Sequence, residues 1–409
     1  MKAPAEKVIP LAIDGGTPVR TAPFAPWPYY APDEIEAVQR VLASGRVNSW
    51  TGTEGSAFER EYAALCGRKH AIALANGSVA LELALIAFGI GPGDDVVTTC
   101  RTFIASASSA VLRGARPVLA DVDPVSQNAT AETMRAVLTP ATKALIVVHL
   151  AGWPCDMDPI MELARERGLI VVEDCAQAHG ALYRGRPVGS FGHAAAFSFC
   201  QDKIITTGGE GGLLLLDDAA AWDHAWAYKD HGKSYDAVFR RANPPGFRWV
   251  HESFGSNWRL TEMQAALGRV QLRKLPAWSA RRQALAAQLT AGLSGMPGLR
   301  LTVPPPDIAH AYYRYYAFLE LDQLIKGWDQ QRVIAAINAE GIPCMGGSCA
   351  EIYLEKAFVA SGLAPATRMP VAAALGATSL CFLIHPTLTD ADAADMVAAV
   401  GKVMRAVQA

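Results

Sequence analysis

Between about residues 55 and 275 the chain repeats one unit: a short, mostly apolar run, a turn, then a stretch with helical spacing. His70-Ala71-Ile72-Ala73-Leu74, Asp95-Val96-Val97-Thr98-Thr99, Pro117-Val118-Leu119-Ala120, Ala144-Leu145-Ile146-Val147-Val148 and residues 169–173 read as strands. Helices are expected over Ser78–Phe88, Phe103–Leu112 and Met157–Arg167, the last closed by Gly168. Strands with apolar residues running on without alternation have no wet face, so helices must cover both sides. That is the pattern of a mostly parallel sheet in an α/β fold.

The character changes after about residue 276. An amphipathic helix is expected over 278–293, a Gly- and Pro-rich crossing over 294–306, a strand over Tyr312–Leu321, and helices near 327–339 and 389–407. The expected division is an arm (1–30, with six prolines), a large α/β domain (31–275) and a smaller C-terminal α+β domain (276–409).

Composition removes several function classes. The 37 basic and 39 acidic residues leave a net charge of −2, which suits neither nucleic acid nor an anionic membrane. The eight cysteines form no CxxC pair and no zinc-spaced cluster, so no metal is expected and the thiols read as buried and reduced. The opening residues lack an apolar signal-peptide core, and no apolar run is long enough to span a bilayer, so a cytoplasmic protein is expected. There is no Walker loop, no G-x-G-x-x-G and no G-x-S-x-G elbow.

Two residues carry the chemistry. Lys203 follows the apolar run Ala195-Ala196-Phe197-Ser198-Phe199 and precedes Gly208-Gly209-Glu210-Gly211-Gly212. A lysine held in such a setting loses hydration, and its partly neutral amine can attack a carbonyl. Asp174 ends the strand before it, at the edge where doubly wound sheets bind ligands. A lysine nucleophile with a carboxylate at a strand end is the pair that pyridoxal phosphate (PLP) requires. Around them, Gly77 and Ser78 open a helix whose N–H groups suit a phosphate, with an ordinary serine cap as the plainer reading. Phe103 is placed to stack on a planar ring, or to sit in the core. Gln177 is within reach of a ring oxygen, Ser198 of a phosphate, and His179 of Asp174.

These segments, together with Ser256-Asn257-Trp258-Arg259-Leu260-Thr261-Glu262-Met263-Gln264-Ala265-Ala266, resemble the DegT/DnrJ/StrS group of PLP-dependent aminotransferases that act on keto sugars, in the fold-type I superfamily. The likeness spans nearly the whole chain. It implies a seven-stranded, mostly parallel sheet, with Lys203 as Schiff-base lysine and proton shuttle and Asp174 as partner of the pyridinium. Gln177 is then the contact to the ring oxygen, Gly77, Ser78 and Ser198 phosphate contacts, and Phe103 the stacking residue. Asn257 matches a residue that reaches the neighbouring subunit's cofactor phosphate, which implies a homodimer with shared sites. Glutamate or glutamine is the implied amino donor and a nucleotide-linked keto sugar the acceptor, with Arg240, Arg241, Arg248 and Arg259 as candidates to meet its diphosphate.

The chain also departs from the family pattern. Gln201-Asp202 stands before the lysine where Pro-Thr or Asn-Gly is commoner, and Cys344 to Tyr353 differs in a region expected to touch substrate. Relatives with histidine in place of the lysine are dehydratases, so Lys203 favours transamination. Ile13-Asp14-Gly15-Gly16-Thr17-Pro18-Val19-Arg20 is similar to the openings of keto-cyclitol aminotransferases and aromatic-amine-forming enzymes, which keeps those acceptors open. A PLP-binding sensor without turnover is the third reading; the intact Lys203, Asp174 and Gln177 speak against it.

Overall fold

The computed structural model describes residues 10–242 and 246–408. Its centre is a sheet of seven strands: β1 (His70–Leu74), β2 (Asp95–Thr99), β3 (Arg116–Ala120), β4 (Thr142–Val148), β5 (Ile170–Asp174), β6 (Ala194–Ser198) and β7 (Gly212–Leu216). They lie in the order β1-β7-β6-β5-β4-β2-β3. β2 to β6 are parallel, and only β7 runs against its neighbours β6 and β1. The expected mostly parallel α/β sheet is therefore observed, with helices on both faces. Ile72, Leu83, Leu85, Val172 and Leu214 pack on one side; Leu145, Val147, Ile160 and Leu163, and Phe58, Tyr62, Phe197 and Leu215, pack on the other.

Element ends shift for local reasons. The helix after β1 spans Gly77–Ala87, and its cap is Asn76, whose side chain accepts from Val79 N at 3.0 Å. The plainer reading of Ser78 as the cap is thereby corrected, because a residue two places earlier already fills that role. The next helix spans Ala105–Leu112, which leaves Phe103 outside it. Gly168 closes the helix Met157–Arg167 in the left-handed conformation, φ 65°.

Beyond the large sheet, the helix Glu262–Leu293 runs unbroken through Pro276 for 32 residues. It starts at a capping box between Thr261 and Gln264. The expected 278–293 segment is thus the second half of a longer helix. The segment read as a Gly- and Pro-rich crossing contains a strand, Leu299–Leu301, which edges a four-stranded antiparallel sheet with Arg314–Leu319, Ser379–Leu383 and Cys344–Met345. Three residues between prolines and glycines are too few to show periodicity. Helices Gln330–Ala339 and Asp390–Val407 cover this sheet around a second core that includes Leu285, Leu289, Phe382 and Val403.

The arm is fastened down from its first described residues. Ala12 N and Val19 N donate to the Glu340 carboxylate at 2.8 and 3.0 Å, and Lys402 Nζ donates to the same carboxylate (2.8 Å) and to Thr17 O (2.7 Å). Leu11 is buried in the second core. Residues 1–9 of the expected arm lie outside the described residues. Among the described residues no helix is long and apolar enough to cross a membrane.

The end of β5 sets the site. Successive residues on a strand face opposite ways, so Glu173 and Asp174 serve different sides. The fully buried Glu173 carboxylate accepts from Gly189 N (2.7 Å), Phe191 N (2.8 Å) and Gly192 N (2.7 Å), and lies 3.1 Å from His149 Nε2. Burial pushes this carboxyl up, but the His149 contact and the glycine N–H donors outweigh it and hold it below its ordinary range. Glu173→Ala strands these donors in the interior. The expected loss is about 3–5 kcal/mol, measured as a fall in the urea unfolding free energy; a loss under about 1 kcal/mol contradicts the assignment.

Candidate active site

A cavity of about 970 Å³ opens at the carboxyl edge of the large sheet. Its floor is the last residues of β4, β5 and β6: Val148, Asp174 and Ser198. Gly77 and Ser78 at the helix start, Phe103, Gln177 and Lys203 line its sides. Tyr313, Arg314, Tyr316 and Ser348, from the second part of the chain, form the opposite wall. Seven of the residues named from sequence, namely Gly77, Ser78, Phe103, Asp174, Gln177, Ser198 and Lys203, therefore line one chamber.

Lys203 sits between charge and desolvation. Burial pushes its amine down, while Asp202 and Asp174 pull it back toward the charged form. Its Nζ is 3.4 Å from Tyr313 OH, and Tyr313 OH in turn donates to Asp202. The Lys203 backbone carbonyl accepts from Trp27 Nε1 of the arm at 3.1 Å.

Asp174 is buried, which raises its carboxyl above the usual range against Ser106, the Ala176 N–H, Lys203 and His149. Ser106 Oγ donates to it at 2.7 Å, Ala176 N at 3.1 Å, and Thr102 and Ser106 hydroxyls are 3.0 Å apart. A cation placed against this carboxylate would restore its ionised form. His179 does not support it. The His179 ring joins Tyr62 OH (2.7 Å, Nδ1) and Ser198 O (2.8 Å, Nε2), so its tautomer is fixed: Nε2–H donates to the carbonyl and Nδ1 accepts from the tyrosine. The histidine five residues beyond Asp174 braces β6 instead.

Gln177 Oε1 accepts from Ala151 N at 2.6 Å, which leaves the amide nitrogen as the end that can donate to a ligand. Gly77 makes the cradle possible: a Cβ there would lie 2.6 Å from the Ser198 Cβ. Only glycine lets the helix start and the end of β6 approach so closely. Phe103 is 67% exposed, a large apolar ring offered to the chamber.

The remaining sequence candidates lie elsewhere in the chain's own structure. Asn257 is exposed and bridges to Asp230. Arg259 Nη1 pairs with Asp230 at 2.5 Å, Arg241 pairs with Asp236 and Glu252, Arg240 lies over the Tyr235 ring and Arg248 binds the carbonyls of Ala237 and Val238. None of these lines the cavity, and Pro244 and Pro245 in that loop lie outside the described residues. Sequence reading had no signal for Ser106, one of three serines in the helix Ala105–Leu112, or for Tyr313 and Arg314, which reach the site from more than a hundred residues after Lys203.

The donor set fits PLP: an amine for its aldehyde, a buried carboxylate for its ring nitrogen, an amide donor for its ring oxygen, a ring to stack on it, and an open helix start for its phosphate. Sheet order and site together define a fold-type I aminotransferase. The chain belongs to the DegT/DnrJ/EryC1/StrS aminotransferase family, whose description matches residues 28–401. It is 38% identical over 355 residues to the GDP-perosamine synthase of Caulobacter vibrioides, covering 85% of this chain and 89% of that one. It is 36% identical over 354 residues to the dTDP-3-amino-3,4,6-trideoxy-alpha-D-glucose transaminase of Streptomyces venezuelae, covering 86% and 87%. The X-ray structure of the aminotransferase from Psychrobacter cryohalolentis superposes with a TM-score of 0.92 at 52% identity, over 94% of this chain and all of that one.

Two outcomes follow from this geometry. Gly77→Val drives a side chain into Ser198 and is expected to weaken PLP binding about tenfold or more, read by titrating the cofactor's absorbance; unchanged affinity excludes the helix start as the phosphate cradle. Burial pushes His179 down to about 3, below the ordinary 6.5. Between those values the unfolded chain binds the extra proton, so stability is complete above about pH 6.5 and falls as the pH drops toward 3, by up to about 1.4 kcal/mol per pH unit. His179→Gln should remove that increment of slope in urea unfolding measured from pH 7 to pH 4.5.

Proposed function

We propose that this protein is a PLP-dependent aminotransferase that moves the amino group of glutamate or glutamine onto a keto sugar carried by a nucleoside diphosphate, working as a homodimer with shared sites. The observation that carries the reading is the convergence of Lys203, Asp174, Gln177 and the open helix start at Gly77 on one sheet edge. The nucleotide-linked acceptor is supported by the two relatives, whose names specify GDP- and dTDP-linked sugars. A cavity of about 970 Å³ has room for a sugar beside a cofactor.

Bound PLP supplies an electron sink for the pair left on carbon when a proton departs. The chain's own residues do the rest. Asp174 accepts the ring N–H and keeps the ring protonated, with Ser106 and Ala176 N holding the carboxylate in place. Gln177 donates to the ring oxygen. Gly77, Ser78 and Ser198 bind the phosphate, and Phe103 stacks on the ring. Lys203 Nζ holds the cofactor, then carries the proton away from the donor's α-carbon and returns it on the other side of the transfer. The desolvation that depresses its basicity is what leaves a neutral amine available for this.

Asn257 and the arginines 240, 241 and 259 lie off their own cavity, which agrees with service to the partner's site. Their stretch also exposes Phe247 (80%), Trp249 (86%) and Phe254 (99%), an apolar surface suited to an interface. Residues 31–275 and 276–409 are read as the large and small domains, with 1–30 as the arm.

Lys203→Ala should abolish the absorbance of lysine-bound cofactor and all turnover; retained turnover refutes the mechanism. Mixing Lys203→Ala with Asn257→Ala tests the shared site, since half the randomly mixed dimers then hold one intact site. About a quarter of wild-type activity is expected from the mixture and none from either variant alone; full activity of Asn257→Ala alone would show that Asn257 serves no site. A panel of dTDP- and GDP-linked keto sugars against a keto-inositol identifies the acceptor, and turnover of the keto-inositol alone would replace this reading with cyclitol amination.

A further inference from the structure

We propose that Arg314 is the subsite for the carboxylate of the amino donor, with Asp202 and Tyr313 orienting its guanidinium. The inference rests on the donor being an amino acid, as the proposed function has it.

Such a donor brings a full negative charge next to the amine that reacts, and that charge needs a cation inside the chamber. Among the described residues lining the cavity there are four acids (Asp174, Asp202, Glu210 and Glu355) and two cations, Lys203 and Arg314. Lys203 is committed to the reacting carbon. Arg314 is the cation that remains.

Its geometry suits the task. Arg314 opens the strand Arg314–Leu319 on the wall facing Lys203. Nη2 donates to Asp202 Oδ2 at 2.8 Å and to Tyr313 OH at 3.2 Å, and Nη1 to Tyr313 O at 3.4 Å. No protein group among the described residues takes Nε. The guanidinium is thus gripped on one edge, with N–H donors left over. The Tyr313 hydroxyl lies between it and Lys203 Nζ, 3.4 Å from the amine. An α-amino acid sets its carboxylate oxygens about 3 Å from its nitrogen, so one molecule can address both residues. A planar fork is also the better partner for a carboxylate than a point charge.

Asp202 gives the arrangement its control. Its side chain is 49% exposed against 19% for Arg314, so this ion pair is weak enough to share or yield the guanidinium to an incoming anion. In the absence of donor it keeps Arg314 from drifting and draws Lys203 toward the charged form.

The test uses the PLP-loaded enzyme titrated with glutarate, a dicarboxylate without an amine, by calorimetry. A second readout is bleaching of the bound cofactor by L-glutamate and L-glutamine with no acceptor present. Arg314→Gln should weaken glutarate and raise half-saturating glutamate by about tenfold or more, with PLP affinity and the KM for the keto acceptor unchanged. Arg314→Lys, which keeps charge without the fork, should fall between. Wild-type glutarate affinity in Arg314→Gln, or in Arg314→Lys should the first variant not fold, overturns the proposal, as does an equal loss toward donor and acceptor. The glutarate titration and the bleaching do not involve the sugar, so a wrong acceptor assignment leaves both intact and would show only in the keto-sugar panel.

Discussion

The alternation of side chains at the end of β5 is the constraint on which this structure turns. Two adjacent carboxylates leave one strand in opposite directions. Glu173 goes into the protein and is saturated by backbone donors and His149, which fixes residues 189–192 against the sheet. Asp174 goes to the chamber and, among the described residues, is held by two donors, with capacity left for a ligand. A slip of one residue would exchange them, placing an unsatisfied acid in the core and a satisfied one in the site.

Around that fork the site is stiffened by rings rather than by charge. Tyr62, Phe197, Phe199 and His179 meet at centroid separations of 4.9 to 6.2 Å beneath the end of β6. A neutral His179 is the polar member, tying Tyr62 to the Ser198 carbonyl. The strand that ends in Ser198 and leads to Lys203 thus rests on a dry, directional cluster, and the lysine's position follows from packing made elsewhere.

What the sequence disclosed and what it hid have different physical origins. Lys203 and Asp174 were legible because each breaks an apolar run at its end, and a charged residue there demands a reason. The parallel strands were legible because their apolar residues run on without alternation. The direction of β7 was not, since an all-leucine run buried on both faces has no alternation to read and carries no mark of orientation. Ser106 was hidden because a serine facing a carboxylate looks in sequence like any serine in a helix. Tyr313 and Arg314 were hidden because their meeting with Asp202 is made by the tertiary fold across more than a hundred residues. His179 was misassigned for the converse reason: nearness in sequence suggested Asp174, while the turn after β5 swung the ring toward Tyr62.

The helix Glu262–Leu293 belongs to both cores. Its first half packs on helices Pro32–Ser44 and Glu54–Cys66, and it also packs on Asp390–Val407. At 32 residues it is about 48 Å long, long enough to reach across both. Neither core can come apart without stripping this helix of packing, which couples their unfolding although the two large sheets do not pair with each other.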